Sequence, residues 1–181
     1  QNIGTLIHNG IKGHDGKRLF GDGNLKLTGR LKNGDNFHLS LIGSGEEHNH
    51  GFSKTGYFFN SENNNFQTGG NATYLKRWNK YGTSSGSVSY SRFQANISET
   101  LMIDATKPQQ DSGTFYNGSR NSISELRARI DHEFAATKYH QVAFGGSFIW
   151  NSSSLDFDTV SIPLAQGRND VSRVSLLVKD E

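Results

Sequence analysis

Oily and wet residues take turns along much of this 181-residue chain, and the stretches where they do so are long. Residues 25–31 show it most plainly: Leu25, Leu27 and Leu31 share one parity, while Lys26, Thr28 and Arg30 share the other. A period of two belongs to a strand with one apolar and one polar face. Lys32-Asn33-Gly34-Asp35 breaks the run, and Asn-Gly tolerates the positive φ that a tight hairpin requires. The return strand again sets Phe37, Leu39 and Leu41 against His38 and Ser40.

The pattern recurs down the chain. Ala72 and Tyr74 oppose Asn71 and Thr73 before a turn at Asn79-Lys80-Tyr81-Gly82. From Thr83 to Ser98, Val88 and Tyr90 lie on one parity but Phe93, Ala95 and Ile97 on the other, which predicts a bulge near Ser91-Arg92. Leu126, Ala128 and Ile130 alternate with Glu125, Arg127, Arg129 and Asp131; a short link near 134–138 leads to Val142, Phe144, Phe148 and Trp150; Val174, Leu176 and Val178 close the series. Seven strands of roughly ten to fifteen residues result, with an eighth near Thr5–Ile7. Residues 122–136 also fit a helix, because Ser122-Ile123-Ser124-Glu125 has the form of a capping box and Ile123, Leu126, Ile130 and Phe134 have helical spacing. The Val142–Trp150 run needs an antiparallel partner across a short turn, and that favours a strand.

Two features point away from a soluble sandwich, whose strands are typically ~5–6 residues. The strands here are long enough for the ~9–11 residues that a tilted strand needs to cross a bilayer. Short links at 32–36, 79–82 and 134–138 also alternate with polar stretches at 46–65, 99–120 and 151–169, predicted to be external loops. The expected fold class is therefore all-β: an antiparallel transmembrane β-barrel, a meander of about seven to eight long strands. Low hydrophobic content (33%) and a mean hydropathy of -0.65 suit a wall in which only alternate residues meet lipid. Trp78, Tyr81, Phe134, Tyr139 and Trp150 near strand ends are candidates for interfacial girdles.

Several functions drop out on composition. The absence of cysteine removes disulfide scaffolds, thiolate metal sites and cysteine nucleophiles. A net charge of +2 gives no argument for nucleic acid. No Gly-x-Ser-x-Gly, His-Glu-x-x-His or phosphate-cradling loop is present, so no enzyme activity, catalytic residue or cofactor is assigned.

Two C-terminal stretches, His140-Gln-Val-Ala-Phe-Gly-Gly146 and Val174-Ser-Leu-Leu-Val-Lys-Asp-Glu181, resemble strands of the barrel of TonB-dependent receptors. Gly23 to Leu31 and the Trp78 to Tyr90 hairpin suit the same family. The resemblance implies an outer-membrane transporter of about 22 strands, of which residues 1–181 would be an incomplete arc. It further implies a Gram-negative outer membrane, lipid around the wall, a TonB-type energising partner, and a scarce solute such as a siderophore, cobalamin or glycan, including metal chelates, caught by external loops. No plug domain, energising box or signal peptide is recognised in the sequence, so the chain reads as part of a larger protein. A small eight-stranded pore or adhesion scaffold and a soluble carbohydrate-binding module are the alternatives.

Glu46, Glu47, His48 and His50 gather carboxylates and imidazoles in the first polar stretch and are the candidate ligand-binding residues. An extended His48/His50 pair could ligate a metal, but an i,i+2 pair alone is equally a solvated loop, and no metal site is assigned. Lys26, Arg30, Glu125, Arg127, Arg129 and Asp131 are expected to face the lumen, to steer solute or to pair across strands. Lys76 falls under the same argument, since Arg or Lys at mid-bilayer on the lipid face costs ~2–4 kcal/mol. Asp156 and Asp158, with Asp104 and Asp111, lack the rhythm of a calcium loop.

Overall fold

The computed structural model describes residues 2–7, 14–54, 56–78, 82–103, 113–135, 140–159 and 162–180. They form β1 (Asn2–Ile7), β2 (His14–Arg30), β3 (Asn36–Lys54), β4 (Tyr57–Arg77), β5 (Gly82–Ile103), β6 (Gly113–Ala135), β7 (Gln141–Thr159) and β8 (Ile162–Asp180). All eight lie in one sheet in chain order, each antiparallel to the next. β1 and β8 do not pair with each other, so the sheet is an open arc, which corrects the small closed barrel. Residues 122–136 fall largely within β6, so the helical alternative is also excluded.

The strands are longer than the sequence pattern implied, 17 to 23 residues from β2 to β8. The polar stretches at 46–65, 99–120 and 151–169 are mostly strand, which corrects their assignment as loops. Lys54 pairs directly with Tyr57, so positions 55 and 56 alone join β3 to β4, with Gly56 at φ 82°. No bulge occurs at Ser91-Arg92, because the β4–β5 and β5–β6 registers run through it unbroken; among the described residues the register shifts between Phe157 and Asp158.

The parity switch in β5 has another cause. Across the lower sheet, Leu27, Leu39, Ala72, Val88, Ala128, Phe148 and Val174 stand in one lateral row, and the rows on either side on that face are also mainly apolar. The opposite face at this level reads Thr28, His38, Thr73, Ser87, Arg129, Ser147 and Ser175. Above Tyr90 and Trp150 the first face turns polar, with Thr68, Arg92, Ser124 and Ser152 in one row. There the second face becomes apolar instead, through Phe20, Phe93, Ile123 and Leu155. The strand stays regular while its oily side changes over.

The eight steps from Gly82 to Tyr90 amount to about 27 Å along the strand. At a tilt of ~40° that is about 21 Å along a membrane normal, against ~25 Å for the apolar band of an outer-membrane barrel. The band is not a protein interior. Leu25 is 58% exposed, Val88 52% and Phe144 43%, and Ile149 is the buried apolar side chain among the described residues. A soluble module of this size would bury many more.

Within the band, large side chains cover glycines on neighbouring strands. The Phe37 ring lies where a Cβ on Gly29 would go, and Leu41 Cδ2 would stand 2.8 Å from a Cβ on Gly70. Gly29→Val is therefore expected to displace the ring and cost ~1–3 kcal/mol, read as a lower urea midpoint, with Phe37→Ala in the same chain relieving part of that loss.

Both edges of the band carry aromatics. Tyr90 and Trp150 stand in one row at the upper edge. At the lower edge Lys76 Nζ sits 3.8 Å from the Trp78 ring centroid, His132 stacks on Phe144 at 4.9 Å, and Phe134 meets Phe144 edge-on at 6.1 Å. Tyr81 and Tyr139, also proposed for girdles, lie outside the described residues. The β2–β3 turn at this edge is fixed by Asp35, only 1% exposed. Its carboxylate accepts hydrogen bonds from the Tyr74 hydroxyl at 2.6 Å, the Arg77 amide at 3.0 Å and the Asn33 side chain at 2.7 Å. One turn residue thereby ties β2–β3 to β4.

Candidate functional site

The face opposite the apolar band carries the candidate charges. Lys26, Arg30, Glu125, Arg127, Arg129 and Asp131 all project on the parity opposite Leu25, Leu39, Val88 and Ala128. Pairing among them runs along one strand: Arg127 meets Glu125 at 3.3 Å and Arg129 meets Asp131 at 2.6 Å. This corrects the expectation of cross-strand ion pairs. Across the sheet these groups face Ser85, Ser87, Ser89 and Ser91 of β5 instead. A charged track flanked by hydroxyls gives a solute polar partners without a single-sign barrier. Lys76 is on the other face, at the edge of the band, where its ammonium can reach the interface over Trp78.

The Glu46, Glu47, His48 and His50 group sits on β3, not in a loop, and the strand divides it. Period two sends Glu46, His48 and His50 to the face of the charged track and Glu47 to the other. Glu46 is already bound, with Arg18 NH2 at 2.5 Å and Arg18 Nε at 2.7 Å. Glu47 accepts a hydrogen bond from Asn49 at 3.1 Å. Among the described residues no three His, Cys, Asp or Glu side chains come together as a metal site. Asp156 and Asp158 share a polar cleft with Glu62 and Arg120 on the band's own face, above the band; Asp104 and Asp111 lie outside the described residues.

Sequence reasoning missed a pocket of about 290 Å³ on the charged-track face, above the level of the band. Phe20, Asp22, Ser44, Glu46, Gln67 and Phe93 line it. It offers aromatic surface, a carboxylate at Asp22 and an amide, a mixture suited to orienting a small solute. The signal was the parity of Phe20 and Asp22, opposite to that of Leu25 on the same strand.

No family model and no curated protein matches this sequence. Solved structures do match in fold. The ferric yersiniabactin uptake receptor FyuA from Yersinia pestis aligns over 92% of this chain with a TM-score of 0.55 at 13% identity. The alcaligin outer membrane receptor FauA from Bordetella pertussis aligns over 98% with a TM-score of 0.53 at 8% identity. The chain spans 26% and 28% of their lengths, about a quarter of each. The likeness to the barrel of TonB-dependent receptors drawn from the sequence thus holds at the level of fold: the sheet has the form of an arc of such a wall, and both similar structures are receptors.

Proposed function

We propose that the chain is a section of the barrel wall of an outer-membrane TonB-dependent transporter in a Gram-negative bacterium, taking up a scarce solute such as a siderophore, cobalamin or glycan. The observation that carries this reading is the apolar band: lateral rows of exposed apolar side chains between two aromatic edges, backed by a mainly polar face. Lipid covers the band, and the charged track lines the lumen. The upper polar-face pocket and the His48 and His50 side of β3 meet the small-molecule or metal-chelate solute, so capture occurs on the extended wall as well as at the links. Energy comes from a TonB-type partner acting through other parts of such a transporter.

The test is physical behaviour in amphiphile. The complete transporter that contains this arc is expected to need detergent or vesicles to stay in solution, and to migrate faster unheated than heated on a denaturing gel. A monodisperse monomer in plain buffer would defeat the proposal. For capture, Phe93→Ala and Asp22→Asn in the complete transporter are expected to weaken solute binding about five- to tenfold, as measured by titration, because each removes one wall of a small polar-apolar pocket.

A further inference from the structure

We infer that the apolar face carries a defined phospholipid site: an acyl chain lies in a groove crossing β3 to β8, and its anionic headgroup rests on Lys76 and His132. This rests on the membrane reading given above.

The groove is a depression of about 750 Å³ between two adjacent lateral rows. One wall includes Leu39, Val88 and Phe148, and the other Tyr74, Ile130 and Leu176. It is open because several row positions are small: Gly86 and Gly146 interrupt one wall, and Ala72 and Ala128 the other. Crossing five strand intervals makes it about 24 Å long. Strands tilted ~40° from the normal set a perpendicular row at ~50°, so the groove rises about 15 Å through the bilayer. That is half the ~30 Å hydrocarbon thickness, the depth of one leaflet. Lys76 on β4 and His132 on β6 flank β5, and three intervals, about 14 Å, lead from β5 to β8, so the groove beyond the headgroup takes part of one straight acyl chain.

The headgroup end follows from what lies directly below the wall. Two residues beyond Tyr74 and Ile130 on the same face come Lys76 and His132, and the Trp78 ring lies under the Lys76 ammonium. The indole N–H donates to Ser84 Oγ at 2.6 Å, and Ser84 Oγ lies 2.7 Å from His132 Nδ1. These two contacts join the Trp78 indole, the Ser84 hydroxyl and Nδ1 of His132 in one chain that does not use the ring's Nε2. The Lys76 ammonium is the charged donor of this edge, with the His132 ring beside it as a second polar group. Of the described carboxylates at this edge, Asp35 has its oxygens taken up in the turn, and Glu133 is on the opposite parity and accepts from Gln141. Cationic and hydrogen-bonding groups beside an aromatic ring, at the foot of an apolar channel, match a phosphate ester carrying a fatty chain.

The experiment uses the complete transporter folded into phosphatidylglycerol vesicles, extracted into a phosphate-free detergent and weighed by native mass spectrometry. One retained phospholipid is expected. Lys76→Gln is expected to lower occupancy about fivefold, the effect of one lysine at a membrane surface. Gly86→Leu fills the groove, and a Cβ there meets nothing within 4 Å, so the backbone need not move. It is expected to abolish retention while the transporter keeps its heat-modifiable migration. Lysophosphatidylglycerol should compete for the site and glycerophosphoglycerol, which has no chain, should not. A heat-modifiable transporter that retains no lipid, or retains it equally in both variants, overturns the site and leaves the membrane reading standing. A complete transporter that never enters vesicles removes that reading, and the site with it.

Discussion

Arginine in place of Val88 is expected to destabilise the vesicle-folded protein by ~2–4 kcal/mol, because position 88 sits at the middle of the apolar band and points away from the polar face. Ser85→Arg, three residues away on the same strand, is expected to change stability little, since Ser85 stands opposite Asp131 on the charged track. Urea titration followed by the fluorescence of Trp78 and Trp150 reads both. Equal losses at the two positions would mean that the band does not meet hydrocarbon. The contrast is sharp because a shift of one parity carries a side chain from lipid to water.

The second large effect concerns the turn. Asp35→Ala is expected to free the β2–β3 turn from β4, because the Tyr74 hydroxyl and the Arg77 amide lose a shared buried acceptor. Hydrogen exchange at the Arg77 amide should quicken by about tenfold or more. Asp35→Asn should fall between, since an amide keeps one acceptor oxygen but sets its NH2 against that of Asn33. The carboxyl is held below the usual aspartate range, first by the Tyr74 hydroxyl and then by the Arg77 amide. A lowered value in the folded state means that this contribution is complete above the ordinary pKa of about 3.9 and fades as pH falls through the lower folded value. Acid should therefore loosen this turn in the wild type and have no such added effect in Asp35→Ala. An Arg77 amide that exchanges at the same rate in all three proteins would remove Asp35 from this role.

The lower half of the wall was legible in the sequence because one face is apolar and the other polar. Leu25, Leu27, Leu39 and Leu41 against Lys26, Thr28, His38 and Ser40 leave little choice of register. The upper half was not legible for the converse reason. Between Glu46 and Asn65 most side chains on both faces are polar, so period two leaves no contrast and a strand looks like a loop. The switch at Ser91-Arg92 misled in the same way: it marks where the surroundings change sides, and a regular backbone carries it without an inserted residue. For the candidate site, composition identified Glu46, Glu47, His48 and His50 but not their division, which only an extended backbone imposes. The Arg18 partner of Glu46 lies 28 residues away and becomes its neighbour only through the β2–β3 register.

The length of β5 beyond the band reaches further than solute uptake. From Arg92 to Ile103 the strand runs eleven more steps, about 37 Å, or about 28 Å of height at the same tilt. On the membrane reading proposed above, the wall stands above the lipid by roughly the thickness it spans below. A short epitope grafted at the two-residue link of positions 55 and 56 would be held at its crest, which makes that link a natural place to label the protein on living cells.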